Sequence, residues 1–207
     1  MAEKHVPSSI KDEALVLKRR NQMIKGAVTL FIEKGFHKTT TREIAKASGF
    51  SIGTLYEYIR KKEDVLFLVC DSIYQRVKER MEDSIDPSQT SLQSLIHAIR
   101  SYFQLMDDMQ DEVLVMYQEV KSLPRDAQEY VLQKERDMVA MLEQVIVNSL
   151  SDQRTDQEVK LIANNIFVQG QMWGFRRWIL QRTFTLETYT DAQIELLLEG
   201  LKETETT

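Results

Sequence analysis

Apolar residues recur along this chain at the spacing of an α-helix. In the stretch from about 12 to 33 they fall at i, i+3, i+4, i+7 and i+8, which places them on one helix face. These residues are Ile24, Ala27, Val28, Phe31 and Ile32. Only 7 glycines and 3 prolines occur in 207 residues, and so few turn formers favour long helices over strands. The pattern therefore predicts an all-α fold.

The same spacing predicts a series of helices from residue 62 onward. The first of them has Glu63 and Asp64 in its first turn, where negative charges suit the N-terminal end of a helix. The predicted ranges are approximately 62–84, 91–109, 112–123, 125–150, 156–182 and 191–201. Residues 1–10 show no periodicity and predict a mobile tail, in which Lys4 could either reach a phosphate or simply be solvated.

Residues 39–62, TTTREIAKASGFSIGTLYEYIRKK, predict two short helices joined by a tight turn. Thr40 or Thr41 can cap the first helix and Ser51 the second, because their hydroxyl oxygens accept hydrogen bonds from unpaired backbone N–H groups. Gly49 follows the first helix, where a left-handed backbone is common. Two helices of about two turns around a short turn containing glycine are typical of helix-turn-helix.

The charge distribution favours a nucleic-acid surface on the first part of the chain. The net charge is −5, but residues 1–62 hold 13 Lys and Arg against 6 Asp and Glu, a net +7. Residues 63–207 hold the other 14 basic and 26 acidic residues, a net −12. Any three-helix cap can carry a basic surface, but here the turn chemistry, the periodicity and the charge agree.

At these residues the sequence resembles the TetR-type bacterial transcriptional regulators. The run TTTREIAKASGFSIGTLYEYIRKKEDVL, preceded by Phe31 and Gly35-Phe36, matches the family pattern almost completely over the first third of the chain. The resemblance implies an N-terminal three-helix helix-turn-helix head and a C-terminal helical body for ligand binding and dimerisation. We expect the head to span 1–62, with the motif at about 41–60 after the helix 12–33, and the body to span 63–207.

The resemblance also implies which residues contact DNA. Base edges or adjacent phosphates are expected to meet Arg42, Thr54 and Tyr56. The DNA backbone is expected to meet Thr40, Thr41, Tyr58 and Lys62.

Three other positions affect which contacts the second helix of the motif could make with base pairs. Gly53 is small, so the second helix of the motif could approach a groove floor closely. Ile52 and Glu57 depart from the polar or aromatic residues of some relatives. Ile52 could touch a thymine methyl group, and Glu57 either faces solvent or accepts a hydrogen bond from a cytosine amino group.

The last two predicted helices, about 156–182 and 191–201, are candidates for a homodimer interface. Gly170 and Gly174 lie four residues apart, which would let a partner backbone come close. Trp173 and Trp178 are aromatic anchors of the kind that dominate interfaces, although they could instead fill the monomer core. Two heads on one dimer would read a palindromic operator.

Methionines in the predicted body suggest either a ligand pocket or ordinary core packing, since methionine suits both. The pocket candidates are Tyr102, Phe103, Met106, Met116, Tyr117, Met138, Met141, Asn165, Gln169, Trp173 and Arg176. The run from Trp173 to Trp178, WGFRRW, resembles a helix of relatives that govern fatty-acid degradation and sense acyl-CoA thioesters. That likeness implies that Arg176, Arg177 or Lys121 would meet the thioester's phosphates.

Several features that the sequence lacks reduce the number of possible function classes. Cys70 is the single cysteine, which excludes an intramolecular disulfide and a cysteine-based zinc site. No run of transmembrane length and no leader is evident, so we expect a cytoplasmic protein without membrane partners. No GxGxxG, HExxH, GxSxG or CxxC motif occurs, so we expect no metal, no cofactor and no enzymatic activity.

These observations predict a ligand-responsive, sequence-specific transcriptional regulator, most simply a repressor released from its operator by a small apolar or amphipathic effector. Two other classes stay open at this point: a nonspecific nucleic-acid-binding protein and a helical enzyme with a basic cap.

Overall fold

The computed structural model describes residues 6–84, 91–150 and 154–203. In that part of the chain it contains α-helices, one 3-10 helix at Val120–Ser122, and no strand. The α-helices are α1 Glu13–Lys34, α2 Thr41–Ala47, α3 Ile52–Tyr58, α4 Lys62–Ser84, α5 Leu92–Asp108, α6 Gln110–Glu119, α7 Arg125–Ser149, α8 Asp156–Phe175, α9 Arg177–Thr183 and α10 Leu186–Glu203. The predicted all-α class is confirmed. No helix of the described residues is both long and apolar enough to cross a membrane.

The chain divides into two compact units. Unit 1 comprises Met1–Tyr74 and Asp111–Lys134, and unit 2 comprises Gln75–Gln110 and Glu135–Thr207. The unit that contains the helix-turn-helix therefore also includes the first half of α4, most of α6 and the start of α7. The functional boundary at residue 62 stays a prediction.

Unit 1 is built around the three helices predicted for the head. Helix α1 packs against both α2 and α3, and α2 packs against α3. Each of the three helices carries a fully buried apolar side chain, and burying each one contributes roughly 1.5–3 kcal/mol. These side chains are Met23 of α1, Ile44 of α2 and Leu55 of α3, and Leu66 of α4 is also fully buried.

Unit 2 is held by aromatic side chains between α5, α8 and α10. The Tyr102 ring stacks on Phe167 at 5.8 Å between centroids, and Trp173 lies 5.2 Å from Tyr189. Each polar tip has a partner: the Tyr102 hydroxyl donates to the Phe167 carbonyl at 3.0 Å, and Trp173 Nε1 donates to Asp107 Oδ1 at 2.6 Å. These bonds satisfy polar groups that burial would otherwise penalise.

Three predicted helices have different bounds in the structure. The helix expected over 112–123 is α6, Gln110–Glu119, followed by the 3-10 helix Val120–Ser122. The single helix expected over 156–182 is wrong: α8 ends at Phe175, and α9 begins after Arg176, which leaves the helical conformation at φ −110° and ψ 19°. The nearby Gly174 lowers the cost of ending the helix there, since glycine favours helix poorly. The last helix begins at Leu186 instead of 191, because Thr185 Oγ1 accepts a hydrogen bond from the Thr188 N–H.

The two glycines of α8 serve packing inside the chain and not the close approach of a partner that was predicted. A Cβ atom at Gly170 would lie 2.5 Å from Tyr102 Cε1, and one at Gly174 would lie 3.3 Å from Gln110 Cα. Trp173 is likewise buried in unit 2, whereas Trp178 on α9 is 55% exposed. Of the two tryptophans, only Trp178 can therefore serve as an interface anchor.

Candidate nucleic-acid interface

The helix-turn-helix forms from local signals in its own sequence. Thr40 is the cap of α2: its Oγ1 accepts from the Glu43 N–H at 3.3 Å, and Glu43 Oε2 accepts from the Thr40 N–H at 2.9 Å. Ser51 caps α3 by accepting from the Thr54 N–H at 3.0 Å. Gly49 adopts φ +74°, the left-handed conformation predicted for the turn. Capping and turn residues thus fix both ends of the turn.

Glu43 also binds across to α1, which ties the motif to its supporting helix. The Lys34 ammonium forms an ion pair with Glu43 Oε1. Hydrogen bonds from Lys34 and then Thr40 lower the pKa of Glu43 to about 2. Because the folded-state pKa is depressed, this contribution to stability is complete above the ordinary carboxyl pKa and is lost as the pH falls toward 2.

The surface of α2 and α3 is accessible where the sequence predicts DNA contact. Arg42 and Gly53 are exposed, Tyr56 is half exposed, and Ile52 is partly exposed. A Cβ atom at Gly53 would meet only Ser51 Oγ, at 3.7 Å, so this part of α3 is narrow. The exposed cations of the motif and its flanks are Lys38, Arg42, Lys46, Arg60 and Lys61.

Hydroxyl groups on this surface hydrogen-bond to one another. Thr41 Oγ1 lies 3.1 Å from the Tyr56 hydroxyl, which links the start of α2 to α3. Only one of the two hydroxyl protons is used in that bond, so the pair retains a donor for a phosphate oxygen. Thr54 Oγ1 lies 3.0 Å from Ser51 Oγ. The Thr40 hydroxyl already donates to Glu43 Oε2 at 2.8 Å.

Tyr58 does not lie on the exposed surface of α2 and α3, contrary to the DNA-backbone contact predicted for it. Its side chain is only 3% exposed, and its ring stacks on Phe50 at 6.4 Å between centroids. Tyr58 falls three residues after the buried Leu55 and just before the buried Ile59. Tyr58 therefore lies on the buried face of α3, as its spacing of three residues from Leu55 in a helix already predicts.

Lys62 is also used inside the protein and not at the surface predicted for it. Its Nζ donates to the carbonyls of Phe36, His37 and Thr39 at 2.7, 3.3 and 2.9 Å. The ammonium also lies 4.3 Å from the centre of the Phe36 ring, a cation–π contact. Since an ammonium has three donors, these carbonyls use all of them. Lys62 holds the connection between α1 and α2.

Two further residues that hold this connection come from far along the chain. Glu119 Oε1 accepts from the Phe36 N–H at 3.2 Å, and Ser122 Oγ lies 3.2 Å from His37 Nε2. Glu119 is the last residue of α6, and Ser122 is the last residue of the 3-10 helix; both belong to unit 1. The sequence carries no signal for these contacts, because 83 residues separate Phe36 from Glu119.

Part of the predicted mobile tail is fixed to α3. The Ser9 N–H donates to the Glu57 carbonyl at 2.9 Å, and the Ser8 and Ser9 hydroxyls donate to the same oxygen. Val6 is buried, and its carbonyl accepts from the Arg20 guanidinium. The prediction of mobility is therefore wrong for residues 6–10, and Lys4 lies outside the described residues.

Two parts of the chain match models of known protein families. The model for bacterial regulatory proteins of the tetR family matches residues 23–69, and the model for the tetracyclin repressor-like C-terminal domain matches residues 88–201. The chain belongs to the TetR family. It is therefore a helix-turn-helix transcriptional regulator that binds DNA.

Several TetR-family relatives match most of the chain. The HTH-type transcriptional regulator HbdR of Aromatoleum sp. (strain CIB) is 28% identical over 196 residues, 94% of this chain and 85% of that protein. The fatty acid metabolism regulator protein of Bacillus subtilis (strain 168) is 23% identical over 183 residues, 87% of this chain and 94% of that protein. The crystal structure of AibR in complex with isovaleryl coenzyme A and operator DNA gives a TM-score of 0.69 at 18% identity, covering 86% of this chain and 97% of that chain. At this identity, the likeness to AibR shows the fold alone.

Unit 2 of this TetR-family protein carries an open apolar groove between α8 and α10, which we call the α8–α10 groove. Its volume is about 420 Å³. Leu161 and Leu196, which are 62% and 64% exposed, lie in its wall. The residues that line it are Arg154, Glu158, Leu161, Ile162, Asn165, Ile166, Gln169, Leu196, Leu197, Gly200 and Leu201. Exposed leucines in one groove favour contact with another apolar surface.

The residues predicted to line a ligand pocket are divided between the two units. Met116 and Tyr117 lie on α6 in unit 1, and the others lie in unit 2. Five of those in unit 2 are buried in helix packing: Tyr102, Phe103, Met106, Met138 and Trp173. Met141 and Gln169 are partly buried, while Asn165 and Arg176 are exposed. Among the described residues, no group of three or more His, Cys, Asp or Glu is placed to hold a metal ion.

Proposed function

We propose that this regulator is a homodimeric repressor that binds a palindromic operator and leaves it when a small apolar or amphipathic effector binds. The exposed surface of α2 and α3 carries the proposal. There, Arg42, the narrow backbone at Gly53 and the Thr41–Tyr56 pair lie among exposed cations. Side chains of these types read base edges and phosphates. As a DNA-bound regulator it would act in the cytoplasm and carry out no catalysis.

The set of residues proposed to contact DNA is smaller than the set predicted from the sequence alone. Arg42, Thr54 and Tyr56 are proposed for base edges or adjacent phosphates, with Ile52 and Gly53 against the groove. Thr41 is proposed for a phosphate. The proposal leaves out Tyr58 and Lys62 because both side chains are occupied inside unit 1. The backbone N–H of Thr40 and its hydroxyl are likewise engaged by Glu43.

Operator binding is tested with the DNA just upstream of the protein's own gene, compared with random duplex of equal length at physiological salt. We expect a preference of about a thousandfold or more for the upstream DNA, as specific binders show over nonspecific sequence. Equal affinity for both duplexes would contradict the proposal and favour a nonspecific nucleic-acid-binding protein. The salt concentration is held fixed, because phosphate contacts make all affinities salt-dependent.

Arg42 and Lys62 are predicted to behave differently when they are substituted. Arg42→Ala should weaken operator binding by about 1–3 kcal/mol and reduce the preference over random duplex, since a base-edge contact is lost. Lys62→Met keeps the aliphatic stem but removes the ammonium from three carbonyls, so it should lower the free energy of unfolding by about 2 kcal/mol. It should leave the salt dependence of binding unchanged. Titrations with DNA at several salt concentrations measure the effect on binding, and thermal unfolding measures the effect on stability. A salt slope lowered by about one unit in Lys62→Met would instead place that ammonium at a phosphate.

We propose that the partner in the dimer is a second copy of this chain, bound through the α8–α10 groove. The groove lies on two of the helices predicted for dimerisation, and its exposed leucines would be covered by the same surface of the partner, as in a two-fold interface. Trp178 and Ile179 add exposed apolar side chains on α9. Two linked heads would then bind two half-sites with much higher affinity than one head.

For the effector, we propose an acyl-CoA thioester as the first candidate. Support comes from the name of the fatty acid metabolism regulator of Bacillus subtilis and from the isovaleryl coenzyme A bound to AibR. In this chain, Arg176 is exposed between α8 and α9, where it could meet a phosphate. The proposed pocket draws on the unit 2 candidates that do not line the α8–α10 groove, which leaves out Asn165 and Gln169.

The operator assay also tests the effector. Acyl-CoA thioesters of several chain lengths are added, with free coenzyme A and free fatty acids as controls. A thioester that lowers operator affinity tenfold must bind the released state more tightly by about 1.4 kcal/mol, and operator must weaken thioester binding by the same factor. If no thioester changes operator affinity while the operator preference holds, the effector is of another class.

A further inference from the structure

Helix α3, which the proposed function makes the recognition helix, is too short to be stable by itself. It has seven residues, Ile52–Tyr58, and isolated helices of this length are unstable in water. Its first turn is capped by Ser51. At its other end, the last carbonyls of a helix lack partners within the helix. The Leu55 carbonyl accepts from the Ile59 N–H, but the Glu57 carbonyl needs a donor from elsewhere.

Residues 6–9, which we call the N-terminal clamp, supply that donor. Three groups donate to the Glu57 oxygen: the Ser9 N–H at 2.9 Å, the Ser8 Oγ at 3.1 Å and the Ser9 Oγ at 3.2 Å. The Ile10 N–H donates in turn to Ser8 Oγ at 3.2 Å, which fixes the local bend. The clamp thus closes the C-terminal end of α3 with groups 48 and 49 residues away in the chain.

The clamp is itself anchored by Arg20 of α1. The Arg20 guanidinium donates a hydrogen bond to the Val6 carbonyl, and the negative charges of Asp71 and Asp64 on α4 attract it. A cavity of about 280 Å³ is lined by Val6 and Pro7 together with Phe67 and Pro124. Because the clamp packs incompletely here, its position depends strongly on its polar contacts at Arg20 and Glu57. The hydrogen bonds form a continuous path from α1 through the clamp to α3.

We propose that the N-terminal clamp positions the recognition helix for base readout, with Ser8 and Ser9 as positioning residues and Arg20 as their anchor. The inference rests on the operator binding proposed above. A reading helix must be held within a fraction of an ångström to keep its side chains on the base edges. The clamp would provide this at the end of α3 that its own sequence leaves uncapped.

The test compares two double substitutions and two short deletions, each made in the whole chain. Ser8→Ala combined with Ser9→Ala removes two hydroxyl donors, while Ser8→Thr combined with Ser9→Thr keeps them. Deletion of residues 2–9 removes the whole clamp, and deletion of residues 2–5 is its control. Each protein is measured for operator affinity, for the preference over an operator with one changed base pair, for the salt slope, and for backbone hydrogen exchange at residues 55–59 without DNA.

We expect the alanine pair to bind operator about tenfold more weakly, equal to about 1.4 kcal/mol, and to discriminate less against the changed base pair. Exchange at residues 55–59 should be about tenfold faster, while the salt slope and the melting temperature stay close to those of the parent. The threonine pair and the 2–5 deletion should behave like the parent, and the 2–9 deletion should lose more than the alanine pair.

Three results would overturn the proposal. Unchanged exchange at residues 55–59 in the 2–9 deletion would show that the clamp does not hold α3. Weaker operator binding by the alanine pair without faster exchange at residues 55–59 would show that the two hydroxyls act on the DNA directly and not through α3. Equal losses in the two deletions would assign the effect to residues 2–5. If the parent shows no operator preference, operator binding fails, but the exchange measurement without DNA still decides whether the clamp holds α3.

Discussion

Leu161→Glu is expected to split the proposed dimer and to lower affinity for a palindromic operator by at least a hundredfold. Leu161 is 62% exposed on α8 and lines the α8–α10 groove with Leu196 of α10. In a two-fold interface each substitution occurs twice, so two unpaired carboxylates would enter an apolar contact, at a cost of several kcal/mol. A single head then loses the gain from linking two half-sites, which is 10²–10⁴ in affinity for well-matched spacing.

Leu132→Glu is the matched control for this prediction. Leu132 lies on α7 in unit 1, is 48% exposed and is not among the groove residues. The same change of side chain should therefore leave both mass and operator affinity near those of the parent. Sedimentation velocity at micromolar protein gives the mass, and titration with full and half operators gives the affinity.

The interface would lie elsewhere if Leu161→Glu stayed dimeric and bound the full operator like the parent. The next surface to substitute would then be α9, where Trp178 and Ile179 are exposed. Monomers that keep full affinity for the palindrome would be a different result. They would show that the two heads do not need a preformed dimer to bind their half-sites.

The helix-turn-helix could be predicted from the sequence because its signals are local. The caps at Thr40 and Ser51 bond to groups three residues away, and Gly49 sets its own backbone conformation. These interactions are properties of short segments, so the sequence pattern specifies them directly. The choice between Thr40 and Thr41 as the cap was left open, and it needed only the position of Glu43 to decide it.

The misassigned residues depend on partners that are distant in sequence. Lys62 bonds to Phe36, 26 residues earlier, and that same residue bonds to Glu119, 83 residues later. A lysine beside a DNA-binding motif looks like a phosphate contact until the carbonyls around it are known. Tyr58 is a different case, since the spacing from Leu55 already placed it on the buried face.

The α8 glycines show why an interface and a core are hard to separate by sequence. Small residues four apart on a helix permit close approach of any neighbour, whether it is another subunit or another helix of the same chain. In this protein the neighbour of Gly170 is Tyr102 on α5, 68 positions away in the sequence. Only the packing of α5 on α8 distinguishes the two interpretations.

Gly170→Ala is expected to lower the free energy of unfolding by about 1–3 kcal/mol, the usual cost of an overpacked core. The added Cβ would lie 2.5 Å from Tyr102 Cε1, 3.0 Å from its Cδ1 and 3.2 Å from Phe103 Cδ1. The Tyr102 ring cannot move aside cheaply, because its hydroxyl is bonded to the Phe167 carbonyl and its face stacks on Phe167. The steric cost should exceed the gain of up to about 1 kcal/mol that alanine brings to a helix.

A double-variant cycle with Tyr102→Ala separates this steric cost from other effects. Tyr102→Ala alone should destabilise the protein by about 3–5 kcal/mol, since it empties a buried aromatic site. On that background Gly170→Ala should be neutral or stabilising, because the clashing ring is gone and the helix propensity gain remains. The two changes should therefore couple by about 2 kcal/mol in denaturant unfolding of the four proteins. If Gly170→Ala instead left unfolding unchanged and weakened self-association, Gly170 would face the second subunit, and the packing of α5 on α8 would not explain it.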